Sequence, residues 1–305
     1  MKQYDVVIIG GGGAGLTAAL YTSRAKLSTL LLEKLVPGGQ IALTDLVENY
    51  PGFPEGVLGP DISAKMEAQA KRYGTEIVYQ EVRSLVKKDK IFQIKTSSAE
   101  YEAKAVILAS GAAFRTLGVA GEKELTGRGV SYCATCDGAF FKDKEIIVVG
   151  GGDSAMQEGL FLTRFATKVT VVHRRDQLRA SAILQERAKK HEKIKFVWNT
   201  VIKQIEGDKK VQKVVLENTG THKTESFQTD GVFVFIGHDP NSSFLKGFVE
   251  LDAKGYVKTD EFLKTSVPGV FAAGEIRAGA VKQLVSACGE GCEAALAAQA
   301  YLEHG

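Results

Sequence analysis

Two copies of one strand–glycine turn–helix–strand unit, 140 residues apart, constrain this 305-residue chain more than any other feature. In the first copy, residues 4–9 (YDVVII) are a short β-branched run that reads as a buried parallel strand. Residues 10–13 form a glycine turn, the apolar stretch through residue 25 reads as a helix, and residues 27–32 read as a second strand that ends on Glu33. In the second copy the strand is 145–149, the turn 150–152, the helix 153–165 and the second strand 168–172. The offset holds throughout: Gly10 matches Gly150, Gly12 matches Gly152, Arg24 matches Arg164, and Glu33 falls on His173. A period this long excludes a solenoid, whose repeats run roughly 20–50 residues. It predicts two similar dinucleotide-binding folds in one α/β chain, and the length suits about two domains at roughly 150 residues each.

The first turn reads Gly10-x-Gly12-x-x-Gly15, with Gly13 and Ala14 between the last two glycines. The first glycine permits a tight turn, the second lets the backbone approach a pyrophosphate, and the third allows close helix–strand packing. The helix behind them offers unpaired N–H groups to the anion. Glu33 follows at the end of the second strand, where a carboxylate accepts hydrogen bonds from a ribose diol and repels a 2′-phosphate. The first site therefore calls for FAD or NAD. The second turn is Gly150-x-Gly152-x-x-Ala155, with Asp153 and Ser154 opening its helix. In place of the carboxylate stand His173, Arg174 and Arg175, with Arg179 one helical turn on. Positive charge here suits the 2′-phosphate of NADP, which arginine grips through charge-assisted, bidentate hydrogen bonds. Two sites of opposite ribose preference imply FAD in the first and NADPH in the second.

Three further segments have the form of an apolar strand closing on glycine: 105–111 (AVILASG), 231–237 (GVFVFIG) and 270–274 (VFAAG). Such turns lie at the carboxyl ends of parallel strands, where open α/β sheets bind ligands. This adds Gly111 and Gly274 to the FAD site, and Ile236 and Gly237 to the NADPH site. Residues 61–73 form a plausible helix with Ile62, Met66, Ala70 and Tyr73 on one face, and the Ala-rich tail 281–302 is helical in propensity.

Cys133 and Cys136 form a CxxC followed by Asp137-Gly138, immediately ahead of the second glycine turn. Half a zinc site, two inert thiols and a redox disulfide all fit a CxxC taken alone. Cys288 and Cys292 are spaced to share one helix face, and buried free cysteine is common, which disfavours a four-cysteine zinc site. Two dinucleotide sites need an electron acceptor, and a dithiol is one, so the redox reading is preferred. Asp137 is then placed to carry the proton that thiolate chemistry requires. The chain has 39 basic and 36 acidic residues, and no basic stripe of the kind that marks a nucleic-acid binder. No apolar run reaches the roughly 18 residues of a membrane span, and residues 1–10 do not read as a signal peptide. These features, with few cysteines, predict a cytoplasmic protein.

The sequence resembles the low-molecular-weight, bacterial-type thioredoxin reductases nearly end to end. The motifs that carry the resemblance are GGGGAG at 10–15, GGQ at 38–40, VENYPGFPEG at 47–56 and CATCDG at 133–138. They continue with GGGDSA at 150–155, HRRDxxRA at 173–180, GHDPN at 237–241 and FAAGE at 271–275. The resemblance implies two Rossmann-like domains, the second inserted in the first: an FAD domain over 1–113 and 243–305, and an NADPH domain over 114–242 that carries the cysteines. It also implies a homodimer, thioredoxin as partner, and rotation of one domain against the other near residues 113 and 243. Gly10, Gly12, Gly15, Glu33, Gly39, Gln40 and Asn49 would hold FAD, joined by Glu275, Lys282 and Gln283. Ser154, Arg174, Arg175 and Arg179 would hold NADPH. Cys136 would lie nearest the flavin, with Asp137 as the acid. The implied reaction carries reducing equivalents from NADPH through FAD to a Cys133–Cys136 disulfide and on to thioredoxin. Two positions depart from the family pattern, which usually has Asp where this chain has Glu275 and Glu290, and Cys288 is unusual.

Overall fold

The computed structural model describes residues 1–43, 46–47 and 49–304. Along the chain come β1 (Lys2–Ile9), α1 (Gly13–Arg24), β2 (Thr29–Glu33), β3 (Leu46–Val47), β4 (Val57–Leu58) and α2 (Gly59–Arg72). They are followed by β5 (Glu76–Tyr79), β6 (Val82–Lys88), β7 (Ile91–Thr96), β8 (Glu100–Leu108) and β9 (Ala112–Phe114). The middle of the chain holds β10 (Val130–Ser131), α3 (Ala134–Asp137), β11 (Glu145–Val149), α4 (Asp153–Leu162), β12 (Lys168–Val172), α5 (Ala182–Lys190) and β13 (Ile194–Val197). Next are β14 (Thr200–Glu206), β15 (Lys213–Asn218), β16 (Thr224–Gln228), β17 (Gly231–Val234) and β18 (His238–Pro240), and the chain ends with β19 (Val270–Ala272) and α6 (Leu284–His304).

These elements form two compact units, Met1–Ala113 with Asp239–Gly305, and Phe114–His238. The return crossing lies at 238/239 rather than at 242/243, because Asn241 is bound into the first unit. Its N–H donates to the Gly111 carbonyl at 3.0 Å and its Nδ2 to the Ser110 carbonyl at 2.7 Å.

The first unit is built on a sheet of order β5-β2-β1-β8-β7-β6, with β19 also beside β8. β8 serves two partners along one edge. Its first half runs antiparallel to β7, with Ala103 opposite Phe92, and its second half runs parallel to β19, with Val106 opposite Val270. Alternation along β1 sorts its side chains into two cores. Val6 and Ile8 pack with α1 and α6, through Leu16, Ala294 and Ala298. Val7 and Ile9 pack with Phe92, Leu245 and Val270 on the opposite face. Both faces are covered, which is why the strand reads as a continuous apolar run. Each such buried side chain contributes about 1.5–3 kcal/mol.

The second unit repeats the plan with a parallel sheet, β10-β17-β11-β12-β13. Ile146 and Val148 of β11 face a core that includes Met156 and Leu162 of α4 and Leu184 of α5. Ile147 and Val149 face Ile202, Val214 and Leu216 of the antiparallel layer β14-β15-β16. Several elements differ from the expected bounds. α4 ends at Leu162, where Thr163 turns its Oγ1 back to the Leu160 carbonyl at 2.6 Å. β17 stops at Val234, and α6 starts at Leu284, leaving Gln283 ahead of the helix. On α2, Ile62 and Ala70 are buried as expected. Tyr73 lies just beyond the helix and is exposed, with the Arg24 guanidinium 5.5 Å from its ring centroid.

Candidate functional site

Register places the first glycine turn. Ile9 lies level with Leu32 of β2 and Leu108 of β8, so Gly10, Glu33 and Ala109 share the carboxyl crest of the sheet. Gly10 turns there at φ +107°, a conformation that favours glycine. Gly15 lies so close to the turn that a Cβ on it would overlap the Gly10 carbonyl oxygen. Glu33 closes the lip, its Oε2 accepting from the Gly11 amide at 2.7 Å and its Oε1 from the Leu35 amide at 2.8 Å. Gly12 faces open space, and a Cβ on Gly39 would stand 3.4 Å from the Gly12 Cα, so the 38–40 loop lies over the turn. α6 supports it from behind. Gly291 lies against the Ala14 carbonyl, and a Cβ on Gly13 would run into Leu284.

The other expected flavin residues gather along the same crest. Gln40 donates Nε2 to the Ala112 carbonyl and hydrogen-bonds the Glu275 carboxyl. Asn49 donates Nδ2 to Gln283 Oε1 at 3.0 Å across 234 residues of sequence. Gly111 (φ +66°) lies in the turn after β8, and Gly274 (φ +75°) in the turn after β19. Glu48, within the 47–56 motif, lies outside the described residues.

Among the described residues, Glu275 Oε2 is buried without a hydrogen-bond partner, an acceptor left unsatisfied. Burial pushes this carboxyl up, against the pull of the Lys282 charge and the Gln40 hydrogen bond. A carboxyl raised on folding stabilises the fold below its unfolded pKa, near 4.5, and loses that contribution as pH rises through the folded value. Glu275→Gln is therefore expected to flatten the decline in apoprotein Tm above pH 4.5, read by thermal unfolding across pH. An unchanged slope would show that Glu275 does not set it.

Sequence reasoning missed Glu290 as part of this site. Its Oε2 accepts from the Gly274 amide at 2.7 Å, and Arg277 grips both carboxylate oxygens, at 3.1 and 2.7 Å. The bidentate pair holds the 274–277 turn, and with it Glu275. Only the departure from Asp marked this position in the sequence.

The second turn is built the same way. Val149 lies level with Val172 and Val234, which puts Gly150, His173 and Phe235 on one crest. Gly152 faces open space, and Ala155 is fully buried beneath the turn. The segment after β12 folds back, so that the Arg179 and Ala180 amides donate to the Gly151 carbonyl at 2.7 and 3.1 Å. Asp153 Oδ1 accepts from the Ser181 amide at 2.6 Å, which makes it a brace for this segment. Arg174, Arg175, Arg179 and Ser154 are exposed around the turn.

His173 is placed differently from the arginines. It is buried, its ring lies where a Cβ on Gly151 would be, and its Nε2 is 3.0 Å from the Gln177 carbonyl. Burial lowers its pKa, and the charges of Arg179, Arg174 and Arg175 reinforce the shift. The positive charge at this site is thus the arginines' alone. Trp198 packs edge-on against the His173 ring. Gly237 follows Ile236 beyond β17 and accepts from the Arg115 amide at 3.0 Å.

The cysteines lie in this same unit. Cys133 and Cys136 form a disulfide at the start of α3, and the Cys136 amide donates to Cys133 Sγ at 3.2 Å. Hydrogen bonding to sulfur favours its thiolate form. Asp137 sits at the end of α3, with its Oδ2 accepting from Ser131 Oγ at 2.5 Å. Ser131 carried no signal in the sequence. Cys288 and Cys292 are free, on α6 of the first unit. Among the described residues, no group of three or more His, Cys, Asp and Glu side chains forms a metal site.

Comparison with known proteins agrees with this geometry. The family model for pyridine nucleotide-disulphide oxidoreductase matches residues 4–291. The chain is 53% identical to a thioredoxin reductase of Bacillus subtilis (strain 168), over 99% of this chain and 96% of that protein. It is 52% identical to a thioredoxin reductase of Listeria innocua, over 99% and 95%. The crystal structure of thioredoxin reductase from Streptococcus pyogenes superposes with a TM-score of 0.95 at 45% identity, covering 99% of this chain and 98% of that one. With both glycine turns and the disulfide in place along its full length, the chain belongs with the thioredoxin reductases in the pyridine nucleotide-disulphide oxidoreductase family.

Proposed function

We propose that this protein is an NADPH-dependent thioredoxin-disulfide reductase, with FAD bound at the first glycine turn and NADPH at the second. The observation that carries the reading is the Cys133–Cys136 disulfide, beside Asp137, in the unit that also bears the arginine-lined turn. Bound FAD supplies the two-electron relay between the nicotinamide and the disulfide.

The chain's own residues do the rest. The turn amides and the α1 N-terminus receive the pyrophosphate, and Glu33 accepts from the ribose hydroxyls. Glu275 Oε2, buried without a donor of its own, fits a hydroxyl-bearing cofactor, as does the space in front of Gly12. Arg174, Arg175 and Arg179 bind the 2′-phosphate, and Ser154 at the start of α4 adds a hydroxyl donor to the same turn. When the Cys133–Cys136 bond opens, Asp137 gives a proton to the departing sulfur. The free dithiol then attacks a disulfide on the partner, which requires a potential near or below thioredoxin's, about −270 mV.

The test is NADPH oxidation by the purified protein with and without thioredoxin, with NADH as control. Turnover that needs thioredoxin and favours NADPH supports the whole reading. Flavin bleaching without thioredoxin-dependent turnover would mean a different acceptor. The double variant Arg174→Ala, Arg175→Ala is expected to raise the KM for NADPH by about 10–100-fold, the cost of losing charge-assisted hydrogen bonds. Its kinetics with NADH should hardly change. Equal losses with both nucleotides would remove the arginines from the 2′-phosphate site.

A homodimer belongs to the same proposal. Val285 and Leu296 stand three helical turns apart on α6 and are 46% and 52% exposed, and exposed Tyr21 of α1 lies against Cys292 of the same helix. An apolar stripe of this kind suits a second copy of the chain, and sedimentation equilibrium reads it directly. A cytoplasmic setting fits free Cys288 and Cys292 together with a dithiol kept in use. No helix among the described residues is long and apolar enough to cross a membrane.

A further inference from the structure

We infer that Asp153 is a positioning residue that sets the preference for NADPH over NADH: its carboxylate ties the arginine segment to the nucleotide turn and so holds Arg179 in place for the 2′-phosphate. The inference rests on the reading of the second turn and its arginines as the NADPH site.

The arginines stand on irregular backbone. β12 ends at Val172 and α5 starts at Ala182, and Arg174, Arg175 and Arg179 are exposed on the segment between them. A loose segment would lose conformational freedom each time it gripped a phosphate, and affinity would fall by that cost. This one is pinned in advance. At its start the Thr200 amide donates to the His173 carbonyl at 3.0 Å, and the Asn199 amide to the Arg175 carbonyl at 3.2 Å. In its middle, His173 Nε2 lies 3.0 Å from the Gln177 carbonyl. Leu178 and Ala180 are buried in one core with Met156 of α4 and Leu184 of α5.

The far end is held by the turn itself. Among the described residues, two groups of the turn hydrogen-bond this end. The Gly151 carbonyl accepts from the Arg179 and Ala180 amides at 2.7 and 3.1 Å. Asp153 Oδ1 accepts from the Ser181 amide at 2.6 Å. The first is main chain, which every residue type provides, and the second depends on the side chain alone. Asp153 follows Gly152, where the pyrophosphate approaches, and Ser181 lies two residues after Arg179. One charge-assisted hydrogen bond therefore fixes the spacing between the two phosphate positions. NADPH presents a phosphate to each of them. NADH presents only the pyrophosphate and gains nothing from the tie.

The internal repeat supplies the contrast. The position 140 residues earlier is Gly13, in the turn where Glu33 rather than an arginine segment follows the second strand. A carboxylate is thus no requirement of a pyrophosphate turn, and beside a bound phosphate its charge is unfavourable. What Asp153 adds is an acceptor for the Ser181 amide, in the one copy of the unit that has arginines to hold.

The test uses the FAD-loaded enzyme, with initial rates at saturating thioredoxin and varied NADPH or NADH. Asp153→Ala is expected to raise the KM for NADPH about 10-fold, the cost of one charge-assisted hydrogen bond, and the KM for NADH less than about 2-fold. The effect should fall on KM and not on kcat. Asp153→Asn, which keeps Oδ1, should return the KM for NADPH to within about 3-fold of the parent. With Arg179→Ala already present, Asp153→Ala should cost NADPH less than about 3-fold, because the arginine it holds is gone. Equal losses with both nucleotides would make Asp153 a support of α4 alone. Tighter binding of both would make it a repelling charge, and an Asp153→Asn enzyme as impaired as Asp153→Ala would remove the hydrogen bond. Each of these overturns the inference. Failure of the underlying reading looks different: the Arg174→Ala, Arg175→Ala double variant would then change NADPH and NADH alike.

Discussion

Cys136→Ser is expected to abolish thioredoxin reduction, by at least ~10³-fold, in a protein that still purifies yellow. The size of the loss follows from the chemistry. A dithiol reduces a partner disulfide by attack of one thiolate, and the mixed disulfide resolves only when the second thiol displaces it. Serine cannot form the Cys133–Cys136 bond, so electrons have no covalent store in this unit. The residues proposed to hold FAD are untouched, because Gly10, Glu33, Asn49, Glu275 and Gln283 lie in the other unit. NADPH should therefore still bleach the flavin, and the reduced form should accumulate instead of turning over. The hydrogen bond from the Cys136 amide to Cys133 Sγ involves backbone on the donor side, so the substitution keeps it. A colourless protein would show that Cys136 matters to the fold of the FAD site. Full turnover would show that the electrons leave by another route. Absorbance during anaerobic NADPH titration, with a thioredoxin-coupled assay, separates the three results.

The sequence exposed this site unevenly, for physical reasons. Parallel strands covered on both faces need unbroken apolar runs, so β11 and β12 carry the bounds expected of them. Glycine turns that bring a backbone close to an anion leave few alternatives in residue type, so Gly10, Gly12 and Gly15 were legible, as was the 140-residue repeat. The antiparallel layer β14-β15-β16 was not. Its outer strand β16 (TESFQ) is mostly exposed, and a solvated strand leaves only a weak periodic signal. His173 was legible as a position but not as a role. Its place equivalent to Glu33 in the repeat suggested a phosphate ligand, whereas the need to fill space under Gly151 buries the ring. Ser131 and Glu290 act through hydrogen bonds to residues that only the fold brings near, Asp137 and the Gly274 amide. Nothing in residue type or spacing distinguishes such a serine or glutamate from any other.

Two alanine substitutions three residues apart, Gly12→Ala and Gly15→Ala, should both cost FAD but for opposite reasons. Gly15 has no room: a Cβ would overlap the Gly10 carbonyl oxygen and would reach within 3.4 Å of the Ala109 side chain. α1 must retreat from the sheet to accept it, and overpacking of this kind costs about 1–3 kcal/mol or more. Apoprotein Tm should fall, and FAD binding with it, because the helix N-terminus moves off the pyrophosphate. Gly12 is the reverse case. Its φ is −74°, which any residue adopts, and nothing among the described residues lies within 4 Å of an added Cβ. The apoprotein should keep its Tm, yet the methyl group occupies the space the pyrophosphate needs. FAD affinity should drop about 100-fold or more, the equivalent of roughly 2.7 kcal/mol. Thermal unfolding of the apoprotein and titration with FAD by flavin fluorescence measure the two effects independently. A Gly12→Ala protein that binds FAD like the parent would show that the turn does not face the pyrophosphate. A Gly15→Ala protein with unchanged Tm would show that α1 is not pressed against the turn as tightly as the Gly10–Gly15 contact requires.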